Sequence, residues 1–303
     1  MNPPLLNTIY RERYECVKIR SRRPNTKRLY RATLSFFERF LQRPATLDDL
    51  NNDTVSAFAS WRLDQRLAKR TVNKDLFNLL ALWRWLHTQG YVKNWPEVEL
   101  ETPPVRAPVA LLRNELLRVM QSADQEIRPV GHIAGPVFWR ALFLVIWCTG
   151  ERIGAILRLE WPDVDLVNGW VRFAAENRKG AAADNLLPLT PEAIDALREL
   201  RKQSRDRSGV VFSWPHSPTY IYYRLGKIMQ RAGIPDDRWH KFHVFRKSVA
   251  SHYEAAGGNA TDLLKHSSRR VTMTYLDPRI VRPMAPANLL FRLVGNDGAA
   301  NSV

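Results

Sequence analysis

Apolar residues recur every three to four positions through much of the first hundred residues, the spacing of helices with one buried face. Leu29, Tyr30, Leu34, Phe37, Phe40 and Leu41 form one stripe, and Asn25-Thr26 just ahead of it is the expected cap. Val55, Phe58 and Trp61 repeat the pattern behind Asn51-Asn52. A third stripe, Val72, Leu76, Leu79, Leu80, Trp83 and Leu86, follows Thr71 as its cap and stops near Gly90. Aromatic residues placed within such stripes read as core, not as platforms for stacked bases.

Proline then interrupts the pattern. Pro96, Pro103, Pro104 and Pro108 block a helix and favour an extended linker over 96–108. This predicts a helical domain over 1–100, a second domain over 109–290 and a C-terminal tail over 291–303. The second domain is mixed. Asn114–Ala123 and the apolar Pro136–Cys148 read as helices, the latter buried. Trp170–Ala175 and Asn185–Leu189 read as the strands of a hairpin around the polar, glycine-bearing ENRKGAAAD. Thr190-Pro191 starts a helix, with a capping hydroxyl followed by proline at the first helical position. Gly209–Ser213 reads as a short strand, and Ser217–Ala232, Val244–Ala256 and Asn259–Lys265 as helices. The expected fold is mainly α with a small β-sheet.

A length of 303 residues agrees with two domains at roughly 150 residues each. Lys and Arg number 46 against 30 Asp and Glu, a formal charge of +16, which points to a polyanionic partner. The charge is densest from Tyr10 to Arg31. Nine basic residues, among them Arg20, Arg22, Arg23, Lys27 and Arg28, face only Glu12 and Glu15 there. These five, with Lys247, are the candidate phosphate contacts. The longest apolar run, Ala141–Cys148, is far short of the ~20 residues that span a bilayer. The N-terminus lacks the pattern of a secretory signal. Cys16 and Cys148 are too few for a disulfide framework or a four-cysteine zinc site. A soluble intracellular protein is expected. His240 and His243 lack a clustered acid or cysteine to complete a metal site, so no metal is expected, and no glycine-rich loop of Walker type is present.

Four segments carry residues suited to phosphate chemistry. The first is Thr149-Gly150-Glu151-Arg152-Ile153-Gly154, at the end of the buried helix. The second is Arg178-Lys179-Gly180 in the hairpin. The third is His243-Val244-Phe245-Arg246-Lys247-Ser248, opening a helix. The fourth is His266-Ser267-Ser268, with Tyr275 nine residues after the histidine. Each has an ordinary reading by itself: Arg152 as an ion-pair partner of Glu151, Lys179 as a solvated turn lysine, His243 as a packed helix-start histidine, Tyr275 as core or surface.

In order and spacing together, the segments resemble the tyrosine recombinases of the phage-integrase family. The Thr-Gly-x-Arg turn, hairpin lysine, His-x-x-Arg helix start and His-Ser-Ser turn with a tyrosine nine residues on map to Arg152, Lys179, His243, Arg246, His266 and Tyr275. Pro188-Leu189 also matches the family's usual text, and residues 1–100 resemble its SAM-like core-binding domain. Three departures stand beside the match. Ala155 replaces the usual acidic residue three after the first arginine, with Glu151 on that arginine's other side. Lys265 replaces the usual glycine before His266. The stretch from Arg246 to His266 is shorter than usual.

The resemblance implies an α+β catalytic domain that cleaves and rejoins DNA through a 3′-phosphotyrosine bond at Tyr275, without metal or ATP. A free tyrosine, with a pKa near ~10, needs a base and nearby positive charge to act as a nucleophile. His243 is the implied general base and Lys179 the implied general acid. Arg152, Arg246 and His266 would stabilise charge on the phosphate, forked guanidiniums being suited to its oxygens. The implied partners are double-stranded DNA, three further copies in a tetramer on paired DNA sites, and accessory DNA-bending proteins, with no membrane. The implied location is the bacterial cytoplasm, on the nucleoid. The amphipathic Ala287–Val294 would dock on a neighbouring subunit or on its own domain. A topoisomerase IB-like enzyme and a non-catalytic DNA-binding regulator are the alternatives on the same residues and fold.

Overall fold

A computed structural model describes residues 4–178, 183–205 and 208–281. The chain forms two compact units that divide between Val105 and Arg106. In the first unit, α1 (Leu6–Ile9) runs into a wider π-helical segment, Tyr10–Lys18, followed by α2 (Pro24–Leu41), α3 (Asn52–Asp64) and α4 (Lys69–Thr88). The three apolar stripes are the buried faces of α2, α3 and α4, with Leu34, Phe37, Phe58, Leu76 and Trp83 nearly inaccessible. The aromatics are core: Phe58 meets Phe37 edge-on at 5.3 Å between ring centroids.

Two caps differ from expectation. Asn25-Thr26 does not cap α2, because Pro24 already occupies its first turn and Arg23 stands at the cap position. Proline has no N–H to satisfy and its fixed φ suits that place. Thr71 lies inside α4, whose cap position is Ala68. Asn51 does cap α3, its side chain accepting from the Thr54 N–H at 2.9 Å. The basic segment is also more structured than its charge suggests. Tyr10 and Tyr14 are buried, and the Tyr14 ring lies 5.3 Å from that of Trp85. Arg31 pairs with Glu15 at 2.5 Å, while Arg20, Arg22, Arg23 and Arg28 are exposed and Lys27 is half-buried.

Residues 94–112 carry no regular structure. The Asn73 side chain exchanges two hydrogen bonds with the Glu101 backbone, at 2.8 and 2.9 Å. Farther along, the Ala110 N–H donates to Asp277 Oδ2 at 2.7 Å and the Leu111 N–H to Ser248 Oγ at 2.8 Å.

The second unit is built on the buried helix α6 (Gly135–Thr149), with α5 (Arg113–Asp124) packed against it. Phe138, Trp139, Leu142, Val145 and Ile146 form its core face. The short α7 (Ile153–Ile156) leads to β1 (Val164–Asp165), β2 (Trp170–Phe173) and β3 (Asn185–Pro188). These form an antiparallel sheet in the order β1-β2-β3, with Val171 opposite Val164 on one side and Leu187 on the other. The expected hairpin is therefore β2–β3, and the two-residue β1 is too short to show in the pattern.

Next come α8 (Pro191–Gln203), capped by Thr190, then α9 (Tyr220–Arg231), α10 (Phe242–Ala255), α11 (Ala260–Leu264) and α12 (Arg269–Met273). Gly209–Ser213 is not a strand. Val210 makes one bridge to Glu160, flanked by bonds from Trp161 N–H to Gly209 O and from Val211 N–H to Leu159 O, both 2.8 Å. Its partner is an irregular turn, which cannot extend a ladder. The fold is thus mainly α with a small sheet. Among the described residues no helix is long and apolar enough to cross a membrane.

Candidate active site

The turn after α6 sets the first arginine. Gly150 has φ +60°, and a Cβ there would fall 2.8 Å from Leu264 Cδ2 and 3.1 Å from Val249 Cγ1. Only glycine allows α11 and α10 to close over this turn. Arg152 follows at the cap position of α7, half-buried. Its guanidinium makes no hydrogen bond or ion pair among the described residues. The ordinary reading of Arg152 as the ion-pair partner of Glu151 fails, because Glu151 turns into the protein. Glu151 is 2% exposed and takes Arg178 Nε at 2.7 Å and Asn185 Nδ2 at 3.2 Å on Oε1, while Oε2 lies 3.8 Å from Arg246 Nη1.

Helix α10 supplies His243 and Arg246 from its first turns. Arg246 is buried, donating from Nη1 to Gly150 O at 2.6 Å and from Nη2 to Leu264 O and His266 Nε2, both at 3.1 Å. Its Nε has no partner among the described residues. Burial and the nearby Arg152 push its pKa down to about 10, with Glu151 and Tyr275 acting in the opposite direction. The guanidinium remains a cation at neutral pH, with a donor left over.

His266 follows α11 through Lys265, which holds the left-handed conformation (φ 50°, ψ 49°). The lysine adopts the backbone geometry that glycine takes without strain. A guanidinium has only donors, so His266 Nε2 accepts from Arg246 and the ring proton is on Nδ1. That proton points to Thr272 Oγ1 at 3.0 Å, and Thr272, fully buried, meets Thr261 Oγ1 at 2.9 Å. Burial first, then Arg246 and Arg152, push the His266 pKa down to about 4.

Tyr275 lies just past α12, half-buried, with Ser251 Oγ donating to its carbonyl at 3.3 Å. Its ring centroid is 4.7 Å from that of His266 and 5.1 Å from that of His243, and Arg246 Cζ is 5.7 Å from it. His243 is exposed. Partial desolvation, then Lys247, Arg246 and Arg152, push its pKa down to about 4. Lys247 is half-buried, its own pKa lowered by burial.

The structure thus brings His243, Arg246, His266 and Tyr275 into contact, and Arg152 is near enough for its charge to act on three of them. Lys179 lies outside the described residues, as does Ala287–Val294. Arg20, Arg22, Arg23, Lys27 and Arg28 belong to the other unit. Sequence reasoning missed two supports: the Glu151–Arg178–Asn185 cluster and the Thr272–Thr261 pair behind His266. Arg178 was legible only as a neighbour of Lys179, and nothing in the pattern marks Thr272. Neutral histidines, a buried cation with a spare donor and a phenol form a cluster of positive character, suited to an anion. Among the described residues no three potential metal-ligating side chains cluster.

A helical N-terminal unit followed by a mainly helical unit with a three-stranded sheet, carrying this His-Arg-His-Tyr cluster, defines a class. The chain belongs to the phage integrase family. The phage integrase family model matches residues 110–280, and that of the phage integrase N-terminal SAM-like domain matches residues 14–90. The chain is 25% identical over 267 residues to a tyrosine recombinase XerD of Pseudomonas putida, covering 83% of this chain and 86% of that one. It is 27% identical over 271 residues to a tyrosine recombinase XerC of Oceanobacillus iheyensis, covering 83% and 85%. Among solved structures, it resembles a lambda integrase tetramer bound to a Holliday junction, with TM-score 0.68 and 19% identity over 92% of this chain and 79% of that one. A Tn1549 transposon integrase in complex with circular intermediate DNA gives TM-score 0.69 and 15% identity over 90% and 95%. These two likenesses show the fold.

Proposed function

We propose that this chain is a site-specific DNA recombinase that cleaves and rejoins duplex DNA through Tyr275. The observation that carries the reading is Arg246, buried with a spare Nε donor beside the Tyr275 ring and between two uncharged histidines. A buried cation with an open donor is costly unless an anion completes it. A phosphodiester does so, and Arg152 is the second open guanidinium at the same site.

In the proposed step the Tyr275 oxygen attacks phosphorus as the bond to the 5′ oxygen breaks. His243, neutral at physiological pH, takes the phenolic proton. Lys179 as an ammonium gives a proton to the departing oxygen. The products are a 3′-phosphotyrosine and a free 5′ hydroxyl. Attack by a 5′ hydroxyl reverses the step, and the bond energy retained in the adduct removes the need for ATP. Arg152 and Arg246 stabilise the charge on the non-bridging oxygens, and preorganised charges of this kind contribute more to rate than any other single effect in many enzymes. His266 joins them once the phosphate takes over its contact with Arg246 and its Nε2 carries the proton.

Arg20, Arg22, Arg23, Lys27 and Arg28 supply phosphate contacts on the N-terminal unit, and Lys247 supplies one beside the site. Strand exchange between two duplexes needs four such sites, so the assembly is a tetramer on paired DNA sites, with accessory DNA-bending proteins. The domains are 1–100 and 109–290, joined by 96–108. Their bacterial relatives and the chemistry suit a cytoplasmic, nucleoid-bound enzyme.

The test is covalent trapping on nicked duplexes that carry random sequence, where loss of a short fragment prevents rejoining. The native protein is expected to give an adduct resistant to denaturing gels, and Tyr275→Phe none. A sharp consensus among the trapped sequences supports recombination, and a diffuse one a topoisomerase-like enzyme. DNA binding without any adduct would sink the catalytic reading and leave a regulator.

A further inference from the structure

The chain enters the C-terminal unit through Ala110-Leu111, which has no regular structure and is nevertheless buried. Irregular backbone usually runs over the surface, because its polar groups need water or a partner. Here all four such groups are taken by side chains from far along the sequence. The Ala110 N–H donates to Asp277 Oδ2 at 2.7 Å, and the Ala110 carbonyl accepts from Arg279 Nη2 at 2.8 Å. The Leu111 N–H donates to Ser248 Oγ at 2.8 Å, and the Leu111 carbonyl accepts from His252 Nε2 at 3.0 Å. Two of these side chains come from α10 and two from the residues just past Tyr275.

Ser251 of α10 completes the clasp. Its hydroxyl donates to the Tyr275 carbonyl at 3.3 Å and accepts the Asp277 N–H at 2.9 Å, so one oxygen holds the backbone on both sides of Leu276. Asp277 is itself buried, and Arg279 pairs with its carboxylate at 2.7 Å. Tyr275 lies past the end of α12, on backbone that belongs to no helix or strand. A nucleophile so placed has no ladder of backbone hydrogen bonds to fix it, and misplacement by about 1 Å is enough to slow a reaction about a hundredfold. We infer that Ser251 and Asp277 are positioning residues that fix the Tyr275 backbone against α10 and Ala110-Leu111, so that its phenol stands beside Arg246 before DNA binds. This rests on the function proposed above and names what aims its nucleophile.

Asp277→Ala, Asp277→Asn and Ser251→Ala test it, with two readouts. The first is amide hydrogen exchange in the absence of DNA. The Leu111 N–H and the Tyr275 N–H, which donates to Thr272 O at 2.8 Å, should exchange at least about tenfold faster in Asp277→Ala, as local opening becomes easier. Amides inside α6 should keep their native rates, since the core of the unit is untouched. The second readout compares attack by Tyr275 with its reversal in single turnovers. Attack is followed as adduct formation on the nicked duplex. Reversal is followed as rejoining when a strand with a free 5′ hydroxyl is added to the purified adduct. In the adduct the covalent bond itself holds Tyr275 in place, so a positioning contact matters in one direction only.

Asp277→Ala is expected to slow adduct formation by about ten- to a hundredfold and rejoining by less than about twofold. Ser251→Ala should show the same asymmetry, and Asp277→Asn, which keeps an acceptor for the Ala110 N–H, a smaller one. Equal slowing in both directions marks lost transition-state stabilisation or lost folding and overturns the inference. Native exchange rates at Leu111 and Tyr275 overturn the clasp itself. A native protein that forms no adduct overturns the reading of the site instead, a result the exchange data keep separate.

Discussion

Asp75 in the N-terminal unit and Glu151 in the C-terminal unit are both carboxylates buried beside guanidinium groups. The network around Asp75 is closed. Thr33 Oγ1 donates to Oδ1 at 2.9 Å, and Arg62 donates to Oδ2 through Nε and Nη2 at 3.2 and 2.8 Å. Arg62 spends its remaining reach on Gln65 and lies 4.1 Å from the Phe36 ring centroid. The Glu151 network stays open on one side. It neutralises Arg178, yet leaves Arg246 with a spare donor, Arg152 without a partner among the described residues, and two histidines whose protonation is opposed by desolvation and then by their cationic neighbours. Similar residue types thus make a structural tie in one unit and a receptive surface in the other. The difference is whether the donors are all used.

That difference predicts opposite consequences for opposite deletions. Asp75→Leu leaves Arg62 buried and unpaired, and should lower unfolding free energy by about 3–5 kcal/mol, the usual result of removing one partner of a buried pair. Urea unfolding of the native protein and the variant measures it. A loss below about 1 kcal/mol would show that Asp75 is not the keystone of its unit. Arg152→Leu should instead depress adduct formation by roughly a hundred- to a thousandfold, the scale of losing one preorganised donor. Its stability should change much less, because the half-buried guanidinium it removes makes no hydrogen bond or ion pair among the described residues. Single-turnover trapping beside a melting curve separates the two quantities, and comparable losses in both would erase the contrast.

The histidines sharpen it through pH. Both have folded pKa values near 4, below the usual 6.5. Between those values the unfolded chain binds protons that the native site refuses, so stability falls as pH drops from 6.5 towards 4 and is fully present above 6.5. Replacing His243 and His266 together by Gln should flatten that slope in urea titrations run at several pH values. An unchanged slope would mean that the site does not oppose their protonation. The smallest expected effect belongs to Lys265→Gly. Relieving a left-handed lysine should stabilise the C-terminal unit by about 0.5–1 kcal/mol, and a lowered melting temperature would count against strain at that turn.

The helical core was readable because its signal is local. Stripes such as Leu34–Phe37–Leu41 or Leu76–Leu80–Trp83 repeat at the helical period wherever one face is buried, and each became a helix of the N-terminal unit. Errors fell where a neighbour overruled local preference. Pro24 displaced the Asn25-Thr26 cap, and Gly209–Ser213 found only a turn to pair with. The buried Tyr10 and Tyr14 were hidden within a run of positive charge.

Arg152, His243, Arg246, His266 and Tyr275 were all legible as a set, since their order along the chain and the turns around them carry the resemblance to the phage integrases. Tertiary structure alone decided what each touches. Glu151 is adjacent to Arg152 in sequence yet binds Arg178 and Asn185, 27 and 34 residues away. The tautomer of His266 depends on Arg246 on one side and Thr272 on the other. Residue order can specify which groups a site contains, because that follows from short motifs. The partners of a buried charge are set by whichever groups several elements bring within about 3 Å, and that distance is a property of the packed fold.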